Sequence, residues 1–531
     1  MSYDYIVVGA GAAGCVLAHR LSADPATTVL LVEAGGSDRN PVNLVPKGFY
    51  FTMSNQRYAK TFVAGPFGAV GATEPWYRGR VMGGSTTTNG MIWNRGWAPD
   101  YDALVEAGNP GWGWDAFLGA FRSLEDHRLG ASDYRGAGGA VSVEVAGPPD
   151  PLSDAYIAAA RADGIRKVDD WNASDDDRVA YVPSNVENGL RMSASRAFLK
   201  PARGRRNLTV VSRAEVQRIV LDGRVAVGVE VKTRRGVEHF DARREVIVSA
   251  GALDTPLLLE RSGIGRPEVL RAAGFDLVVE SPNVGERLRE HRGMDFRFRI
   301  KGLEGQNKLV AGQVRRYWTG ARFLLGRDGI MSYGGFNVIT GVTAHPDSDR
   351  PDVQALFTPI SIDGSRLGPK RAVLEKEPGA MLSLLPLRPT SVGSIHSAGA
   401  GQQPRVDPNF LDTEHDRQVL AHAARRVHRI VEHDEFAQYI AFQTKPDADL
   451  DLDDDEALAY YAQNYGNSGY HTIGTAAMGP RDEDVVDADL RVRGVENLRV
   501  VDASVFPHIT SGNVNAPTMA LAWLAADRIA R

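Results

Sequence analysis

The feature that most constrains how this chain can fold is a glycine-rich turn near its N-terminus, Gly9-Ala10-Gly11-Ala12-Ala13-Gly14, which has the form G-x-G-x-x-G. Residues 5–8 form a short β-branched run that predicts a buried strand, and residues 15–21 predict a helix. A second predicted strand at residues 28–32 is followed by Glu33. This order of strand, turn, helix, strand and acidic residue predicts a dinucleotide-binding βαβ unit.

Each glycine of this unit has a physical role. Gly9 makes the turn, Gly11 lets a phosphate approach the backbone, and Gly14 lets the helix pack on the sheet. The backbone amides of Ala12 and Ala13 would then face a pyrophosphate at the helix N-terminus.

The acidic residue of the unit, Glu33, is expected with Ala34 at an adenosine ribose. Its carboxylate can accept hydrogen bonds from two hydroxyls and repels a 2′-phosphate, so NADP is disfavoured. The motif alone leaves FAD and NAD as alternatives.

Composition excludes several classes of protein. The chain has 531 residues, 43% of them hydrophobic, which is ordinary for a globular protein of about two or three domains. Its 61 Lys and Arg against 66 Asp and Glu give a net charge of −5, which argues against nucleic acid as a partner. The single cysteine, Cys15, excludes an intramolecular disulfide. No metal site is predicted, because His415, His422, His428 and His433 lack metal-ligand spacing.

The ends of the chain show no recognised targeting pattern. The N-terminus lacks the basic and apolar regions of a secretory signal, and no run of about 18 apolar residues predicts a membrane span. We therefore expect a cytoplasmic protein without a membrane partner.

Two longer segments combine glycines with small residues. Residues 79–96 read Gly-Arg-Val-Met-Gly-Gly-Ser-Thr-Thr-Thr-Asn-Gly-Met-Ile-Trp-Asn-Arg-Gly, and residues 249–265 read Ser-Ala-Gly-Ala-Leu-Asp-Thr-Pro-Leu-Leu-Leu-Glu-Arg-Ser-Gly-Ile-Gly. Both resemble signature segments of the glucose–methanol–choline (GMC) family of FAD-dependent oxidoreductases. Residues 283–291 resemble the family's VGENLQDH stretch, and residues 497–507 and 511–518 resemble its C-terminal block, so the resemblance runs along the whole chain.

The resemblance implies which residues contact FAD. The paired glycines and the Ser/Thr run of residues 79–96 supply donors on a bent backbone, which can lie against a pyrophosphate or a flavin edge. Some family members link FAD to a histidine at the position of Thr88, so FAD is expected here to be non-covalent. The expected contacts, beyond those of the βαβ unit, are Arg80, Met82, Gly84, Ser85, Asn89, Gly90, Met91, Ile92, Val216, Ala250, Gly251, Tyr470, Asp502, Ala503, Asn515, Pro517 and Thr518.

The resemblance also implies a catalytic pair. His471 lies in Gly469-Tyr470-His471-Thr472-Ile473-Gly474-Thr475, which resembles the family's H-x-x-G-T, whose histidine is the base. Asn515 is assigned to the second position of the pair. A neutral imidazole can take the hydroxyl proton of an alcohol at neutral pH, and an amide can hydrogen-bond the developing alkoxide without acting as a base.

The fold class expected is α/β, α+β overall, with a Rossmann-like FAD-binding domain and a discontinuous substrate domain built on an antiparallel sheet with helices. We assign residues 1–290 to the FAD-binding domain, with substrate-side insertions near 41–78 and 101–185. Residues 291–460 are assigned to the substrate-binding domain, and residues 461–531 return to the FAD-binding domain with the catalytic pair.

The leading functional hypothesis is a FAD-dependent oxidase of a primary alcohol, which produces an aldehyde and reduces O2 to H2O2. Trp93 and Tyr470 are predicted from their motif positions to line the substrate pocket. Tyr470 precedes the base, where aryl-alcohol and hydroxymethylfurfural oxidases of the family also carry an aromatic residue, and this resemblance favours an aromatic or furanic alcohol. One alternative is an alcohol or choline-like dehydrogenase with another electron acceptor, and a second is a hydroxynitrile lyase-like member. A NAD-binding regulatory module is a hypothesis from a different class. The oligomeric state is left open.

Overall fold

A computed structural model gives the fold of the protein. It describes residues 2–145, 150–311, 313–327, 329–368, 371–447 and 449–530.

The first sheet is mixed and has seven strands. In its parallel part, residues 5–8 pair with residues 29–32 on one side and with residues 245–248 on the other. Residues 5–8 and 29–32 are all buried, as expected for a parallel sheet that is covered on both faces. In spatial order the strands are Leu208–Ser212, Val29–Glu33, Ser2–Val8, Gly236–Val248, Val225–Thr233 and Glu215–Asp222, with Leu498–Val500 also paired to Gly236–Val248.

The helix Ala12–Leu21 follows the N-terminal strand, and the C-terminal helix Asn515–Ile529 packs against it. The predicted unit of strand, glycine turn, helix and second strand is confirmed. The helix begins at Ala12, three residues earlier than expected, because Gly11 already serves as its N-cap.

The second sheet has eight strands and is antiparallel except for its last pair. The predicted antiparallel sheet with helices is confirmed, and the helix Glu414–Val431 packs on it, with Leu420, Val427 and Ile430 fully buried. In spatial order the strands are Ile440–Lys445, Arg292–Ile300, Gly379–Pro386, Val353–Thr358, Val338–Val342, Arg178–Tyr181 and Arg166–Lys167, with Asn467–Ser468 also paired to Arg292–Ile300.

Smaller sheets complete the strand content. A four-stranded sheet contains, in spatial order, Ser394–His396, Arg405–Asp407, Ala59–Phe67 and Ala72–Gly79. The two-stranded pairs are Glu125–His127 with Val141–Val143, Val186–Glu187 with Leu190–Arg191, Ile264–Gly265 with Val279–Glu280, and Ile362–Gly368 with Arg371–Leu374.

The remaining helices connect these sheets and cover their faces. The α-helices not yet given are Pro41–Leu44, Phe49–Thr52, Ala98–Glu106, Trp114–Leu124, Pro151–Ala162, Lys200–Ala202, Asp254–Arg261, Pro267–Ala273, Asn307–Ala311, Gln313–Gly326, Asp434–Ala437 and Asp455–Tyr465. The short 3₁₀ segments are Pro46–Gly48, Gly84–Thr87, Trp171–Ala173, Ile330–Ser332 and Ala503–Val505, and Ser195–Leu199 is a π-helix.

Strands from the two predicted insertions lie outside the first sheet. Ala59–Phe67 and Ala72–Gly79 belong to the four-stranded sheet, whereas Arg166–Lys167 and Arg178–Tyr181 belong to the eight-stranded sheet. The domain boundaries themselves stay a prediction.

A charged histidine joins segments that are distant in the sequence. His396 Nδ1 lies 2.7 Å from Glu260 Oε1, and its Nε2 lies 3.1 Å from Glu286 Oε1. Burial opposes the charged form of the imidazole, but the hydrogen bonds to both carboxylates outweigh it and raise the pKa of His396 to about 9. At neutral pH this imidazolium therefore links the helix Asp254–Arg261 to the strand Ser394–His396.

We expect His396→Gln to lower stability by roughly 2–3 kcal/mol at pH 6 and to have little effect at pH 10. The pKa is raised on folding, so the contribution is complete below the unfolded value of about 6.5 and is lost as pH rises through about 9. The thermal midpoint of the variant and the parent protein, measured across this pH range, tests the claim. An equal destabilisation at both pH values would show that packing, not charge, is responsible.

Candidate active site

The glycine turn after the first strand forms a close-packed cradle. A Cβ atom at Gly9 would overlap the carbonyl of Ser249, and one at Gly14 would overlap the carbonyl of Gly9. Gly11, in contrast, faces open space and provides no side-chain cap for the helix that starts at Ala12. The first backbone amides of that helix are therefore directed at a space that can accept an anion.

The segment of residues 79–96 closes the other side of this cradle. A Cβ atom at Gly84, where φ is +53°, would lie 2.7 Å from Gly11 Cα, so the two glycines meet backbone to backbone. Ser85 is exposed, and its Oγ accepts a hydrogen bond from Gly79 N at 3.0 Å. This close approach of two glycine-rich segments fits the pyrophosphate of a dinucleotide such as FAD.

A buried arginine orients Asn89 within the same segment. Asn89 Oδ1 accepts hydrogen bonds from Arg191 Nη1 at 3.0 Å and from Met91 N at 3.1 Å, which leaves the amide Nδ2 to donate. Burial lowers the pKa of Arg191 to about 9, so the guanidinium remains charged at neutral pH. Sequence reasoning missed Arg191, which lies about a hundred residues away and belongs to no motif that we singled out.

Glu33 and Asp502 both use their carboxylates to organise the backbone of the cradle. Glu33 accepts hydrogen bonds from Ala10 N at 2.8 Å and from Gly35 N at 2.7 Å, and burial raises its pKa to about 7. Asp502 accepts from Gly251 N at 2.8 Å and caps the 3₁₀ segment Ala503–Val505. Asp502 thus ties residues 249–265 to the C-terminal block.

The other expected cofactor residues are half-buried or buried. Arg80 pairs with Glu215 at 2.9 Å, and Met91 has a positive φ of 65°. The half-buried positions are Ala12, Ala34, Arg80, Asn89, Gly90, Ala250, Gly251, Tyr470, Ala503 and Asn515, and the buried ones are Ala13, Met82, Gly84, Met91, Ile92, Val216, Pro517 and Thr518. Their contacts with FAD remain a prediction.

The catalytic candidate His471 lies at the centre of a row of hydrogen bonds. His471 is 9% exposed, and its Nε2 lies 2.9 Å from Asn513 Nδ2. On the other side, His471 Nδ1 lies 2.9 Å from His291 Nδ1, and His291 Nε2 lies 2.9 Å from the carbonyl oxygen of Leu387.

The Leu387 carbonyl determines which nitrogen of each imidazole carries a proton. A carbonyl can only accept, so His291 Nε2 donates, and the Nδ1 of a neutral His291 must accept. His471 Nδ1 is then the donor to His291, which leaves the Nε2 lone pair of His471 facing Asn513. His471 is therefore held in the tautomer that presents a base.

Both imidazoles are held neutral. Burial is the main cause, and it lowers the pKa of His471 well below its usual value and that of His291 to about 4. The neighbouring His291 and Arg78 act in the same direction on His471. At neutral pH, His471 Nε2 therefore carries no proton.

The structure corrects the predicted partner of His471. It brings Asn513, not Asn515, to His471, because the helix begins at Asn515 and directs that side chain to Asn185, where the amide Nδ2 donates to Oδ1 at 3.3 Å. The sequence contains both asparagines two residues apart, and a motif match alone does not tell them apart.

The predicted role of Trp93 in a substrate pocket is also wrong. Its side chain is fully buried in the core beneath the first sheet, and its Nε1 donates to Glu125 Oε1 at 2.6 Å. Tyr470 is half-buried, and its ring lies 6.4 Å from that of Tyr77, centre to centre. Its contact with substrate stays a prediction.

The structure reveals another aromatic side chain beside the candidate cofactor segment. Phe336 is half-buried, and a Cβ atom at Gly90 would lie 3.2 Å from its ring. The Phe336 ring also lies 6.4 Å from that of Phe49. No sequence motif marked either phenylalanine, because the contact joins segments far apart in the chain.

Among the described residues, no group of three or more His, Cys, Asp or Glu side chains is arranged to hold a metal ion. In the same part of the chain, no helix is both long and apolar enough to cross a membrane.

The glycine cradle and the buried imidazole of His471 together are typical of a dinucleotide-binding oxidoreductase. The sequence models of the GMC oxidoreductase family match residues 3–292 and 389–522, so the chain belongs to this family. It is a FAD-dependent enzyme that acts on CH–OH groups.

Relatives and solved structures agree with this assignment. The chain is 35% identical to an oxygen-dependent choline dehydrogenase of Photobacterium profundum, over 99% of this chain and 93% of the relative. It is 34% identical to a protein of the same name from Vibrio vulnificus, with 99% and 94% covered. A crystal structure of pyridoxine 4-oxidase from Mesorbium loti superposes with a TM-score of 0.88 at 29% identity, with 99% and 98% covered.

Proposed function

We propose that this protein oxidises a primary alcohol, aromatic or furanic, to the aldehyde, with non-covalent FAD as the hydride acceptor and O2 reduced to H2O2. The observation that carries the proposal is the pair of His471 and Asn513, with His471 held neutral and its Nε2 directed at Asn513. The overall reaction is RCH2OH + O2 → RCHO + H2O2.

Two side chains of this site act on the hydroxyl group of the alcohol. His471 Nε2 takes the hydroxyl proton, and Asn513 Nδ2 donates a hydrogen bond to the oxygen as negative charge develops. FAD, when bound, supplies the acceptor for the hydride that leaves the alcohol carbon. Thr88 is the residue at the position of the family's histidyl link, and threonine cannot form that bond, which supports non-covalent binding.

The charges near the base favour an uncharged substrate. Glu290 is buried next to His291, and its carboxylate accepts hydrogen bonds from His471 N at 2.6 Å and Thr472 Oγ1 at 2.6 Å. Arg78 lies 3.4 Å from the same carboxylate. Since Glu290 is already paired, it is not available to hold an ammonium group, and the Phe336 ring beside Gly90 supports a flat aromatic substrate.

A choline-like alcohol is the second candidate substrate, because the relatives at 35% and 34% identity are named choline dehydrogenases. Their names also describe oxygen dependence, which supports O2 as the acceptor. The alternative is an electron acceptor other than O2, and the experiment must distinguish the two.

The experiment is a panel of alcohols mixed anaerobically with the purified yellow holoenzyme. We expect benzyl-type and hydroxymethylfuran alcohols to bleach the flavin faster than choline or an aliphatic alcohol of similar size. Peroxide formation in air, compared with reduction of an added dye under argon, then identifies the acceptor. A flavin that no alcohol reduces would contradict the oxidoreductase mechanism and favour the lyase-like alternative. Acid treatment that releases all the flavin checks non-covalent binding.

The limiting rate of flavin reduction is expected to be independent of pH from about 7 to 9. Acid protonates His471, so the rate should decrease only as pH falls through its lowered pKa, below the usual imidazole value of about 6.5. Stopped-flow reduction with a non-ionising alcohol measures this profile. An inflection above pH 7 would contradict a base that burial keeps neutral.

A further inference from the structure

The amide of Asn513 is itself held by a second amide. Gln354 Nε2 donates to Asn513 Oδ1 at 3.4 Å, and Gln354 Oε1 accepts from Asn94 Nδ2 at 2.8 Å. Asn94 Oδ1 in turn accepts from the backbone Gly96 N at 3.0 Å. The row of hydrogen bonds through His471 therefore continues from Asn513 into the antiparallel sheet, where Gln354 lies on Val353–Thr358.

The two ends of this row fix the orientation of every member. A backbone N–H can only donate, so the atom of Asn94 that faces Gly96 is Oδ1, and Asn94 Nδ2 must donate onward to Gln354. The same polarity then passes from Gln354 through Asn513 to His471 Nε2. At the opposite end, the Leu387 carbonyl accepts from His291 Nε2, which also leaves His471 Nε2 as an acceptor. The two ends of the row therefore imply the same orientation of the Asn513 amide.

We propose that Gln354 and Asn94 are positioning residues that keep the Nδ2 of Asn513 directed at His471 and at the substrate oxygen. If the Asn513 amide turned over, its Nδ2 would meet Gln354 Nε2, two donors facing each other. Its Oδ1 would then face His471 Nε2, two acceptors facing each other. The proposal rests on the alcohol oxidation proposed above, and it concerns which group sets the geometry of that reaction.

Burial makes this orientation costly to lose. Asn94 and Gln354 are both 0% exposed, so water does not replace a missing partner. Gly512 belongs to the same arrangement, because a Cβ atom there would overlap Asn94 Nδ2. The glycine next to Asn513 thus makes room for the amide that orders the row.

The test is a double-mutant cycle on flavin reduction, with Gln354→Met and Asn513→Ala. Methionine keeps the length of the side chain but removes both hydrogen bonds. We expect Gln354→Met to slow the limiting rate about 10–100-fold in the parent protein, and less than about 2-fold when Asn513 is already alanine. Equal losses in both backgrounds would overturn the proposal, since they would mean a structural effect that bypasses Asn513.

The pH dependence of flavin reduction distinguishes this role from a purely structural one, because looser packing alone would not shift the pH at which the rate falls. Without Gln354, the Asn513 amide can turn over and present Oδ1 to His471 Nε2, which favours the protonated imidazole. The acidic limb of the reduction rate should therefore move to higher pH in Gln354→Met. Gln443→Met, on the strand Ile440–Lys445 of the same sheet, is the matched control and should leave rate and profile unchanged.

Nitrogen NMR of the holoenzyme with ¹⁵N-labelled histidine tests the row without turnover. We expect a neutral His471 with its proton on Nδ1 in the parent protein. A proton on Nε2 overturns the proposal even if Gln354→Met does not fold. If no alcohol reduces the flavin, the proposed oxidation fails, and the NMR result still decides the orientation separately.

Discussion

Replacing His471 with alanine is expected to slow flavin reduction by alcohol about 10³–10⁴-fold. A general base of this kind contributes up to about 10⁴-fold, and its neighbours cannot replace it. Asn513 is an amide, and the one nitrogen of His291 that carries a lone pair, Nδ1, faces the Nδ1 side of His471 and not its Nε2. The loss should appear in the limiting rate more than in substrate affinity, because the proton transfer belongs to the chemical step.

Anaerobic stopped-flow reduction of His471→Ala measures this effect, with flavin content checked by absorbance. His239→Ala is a matched control, since its side chain is 50% exposed on a strand of the first sheet. Turnover within about 10-fold of the parent protein would contradict His471 as the base. A normal rate of reduction with slow reoxidation would instead assign His471 to the oxygen reaction.

The parts of the fold that depend on local geometry could be predicted from the sequence. Gly9 and Gly14 leave no room for a Cβ atom, so glycines at this spacing indicate that the strand, the turn and the helix pack closely against each other. The short apolar runs predicted the strands around residues 5–8 and 28–32 for the same reason. Each of these features is a property of residues close together in the chain.

The errors in the candidate site come from contacts between distant residues. Trp93 has a buried carboxylate partner, Glu125, 32 residues away, and this pair places the indole in the core. His291 contacts His471 across 180 residues, so its motif did not show that it orients the base. Gln354 lies in no motif at all, and only the packing of the eight-stranded sheet against the C-terminal block reveals it.

The choice between Asn513 and Asn515 depends on where one helix starts. Val514 is the N-cap, Asn515 is the first helical residue, and Asn513 precedes the helix with its side chain turned to His471. A shift of the helix start by two residues would exchange these roles. Ser511, two residues before Asn513, donates hydrogen bonds to Asp100 from its N and its Oγ, and a local sequence pattern does not show contacts between segments so far apart.

Asn513→Ala is therefore expected to slow flavin reduction about 10²–10³-fold, whereas Asn515→Ala should change it by less than about 3-fold. Removing one donor to a developing oxyanion has this size of effect, because the alkoxide charge loses its hydrogen bond in a buried site. Asn515 donates one long hydrogen bond to Asn185, so its loss should mainly lower stability, by about 1 kcal/mol.

The two variants control for each other, because each removes one asparagine amide from the same turn. Limiting rates of anaerobic flavin reduction, with the thermal midpoint of each holoenzyme, give the comparison. A large loss of rate in Asn515→Ala with a small loss in Asn513→Ala would contradict the role of Asn513. It would support Asn515 as the catalytic partner of His471, and the hydrogen bond at 2.9 Å between Asn513 and His471 would then not be needed for catalysis. Equal large losses would show that both amides reach the substrate oxygen or that the turn acts as a unit, and a mutant cycle between them would then separate these cases.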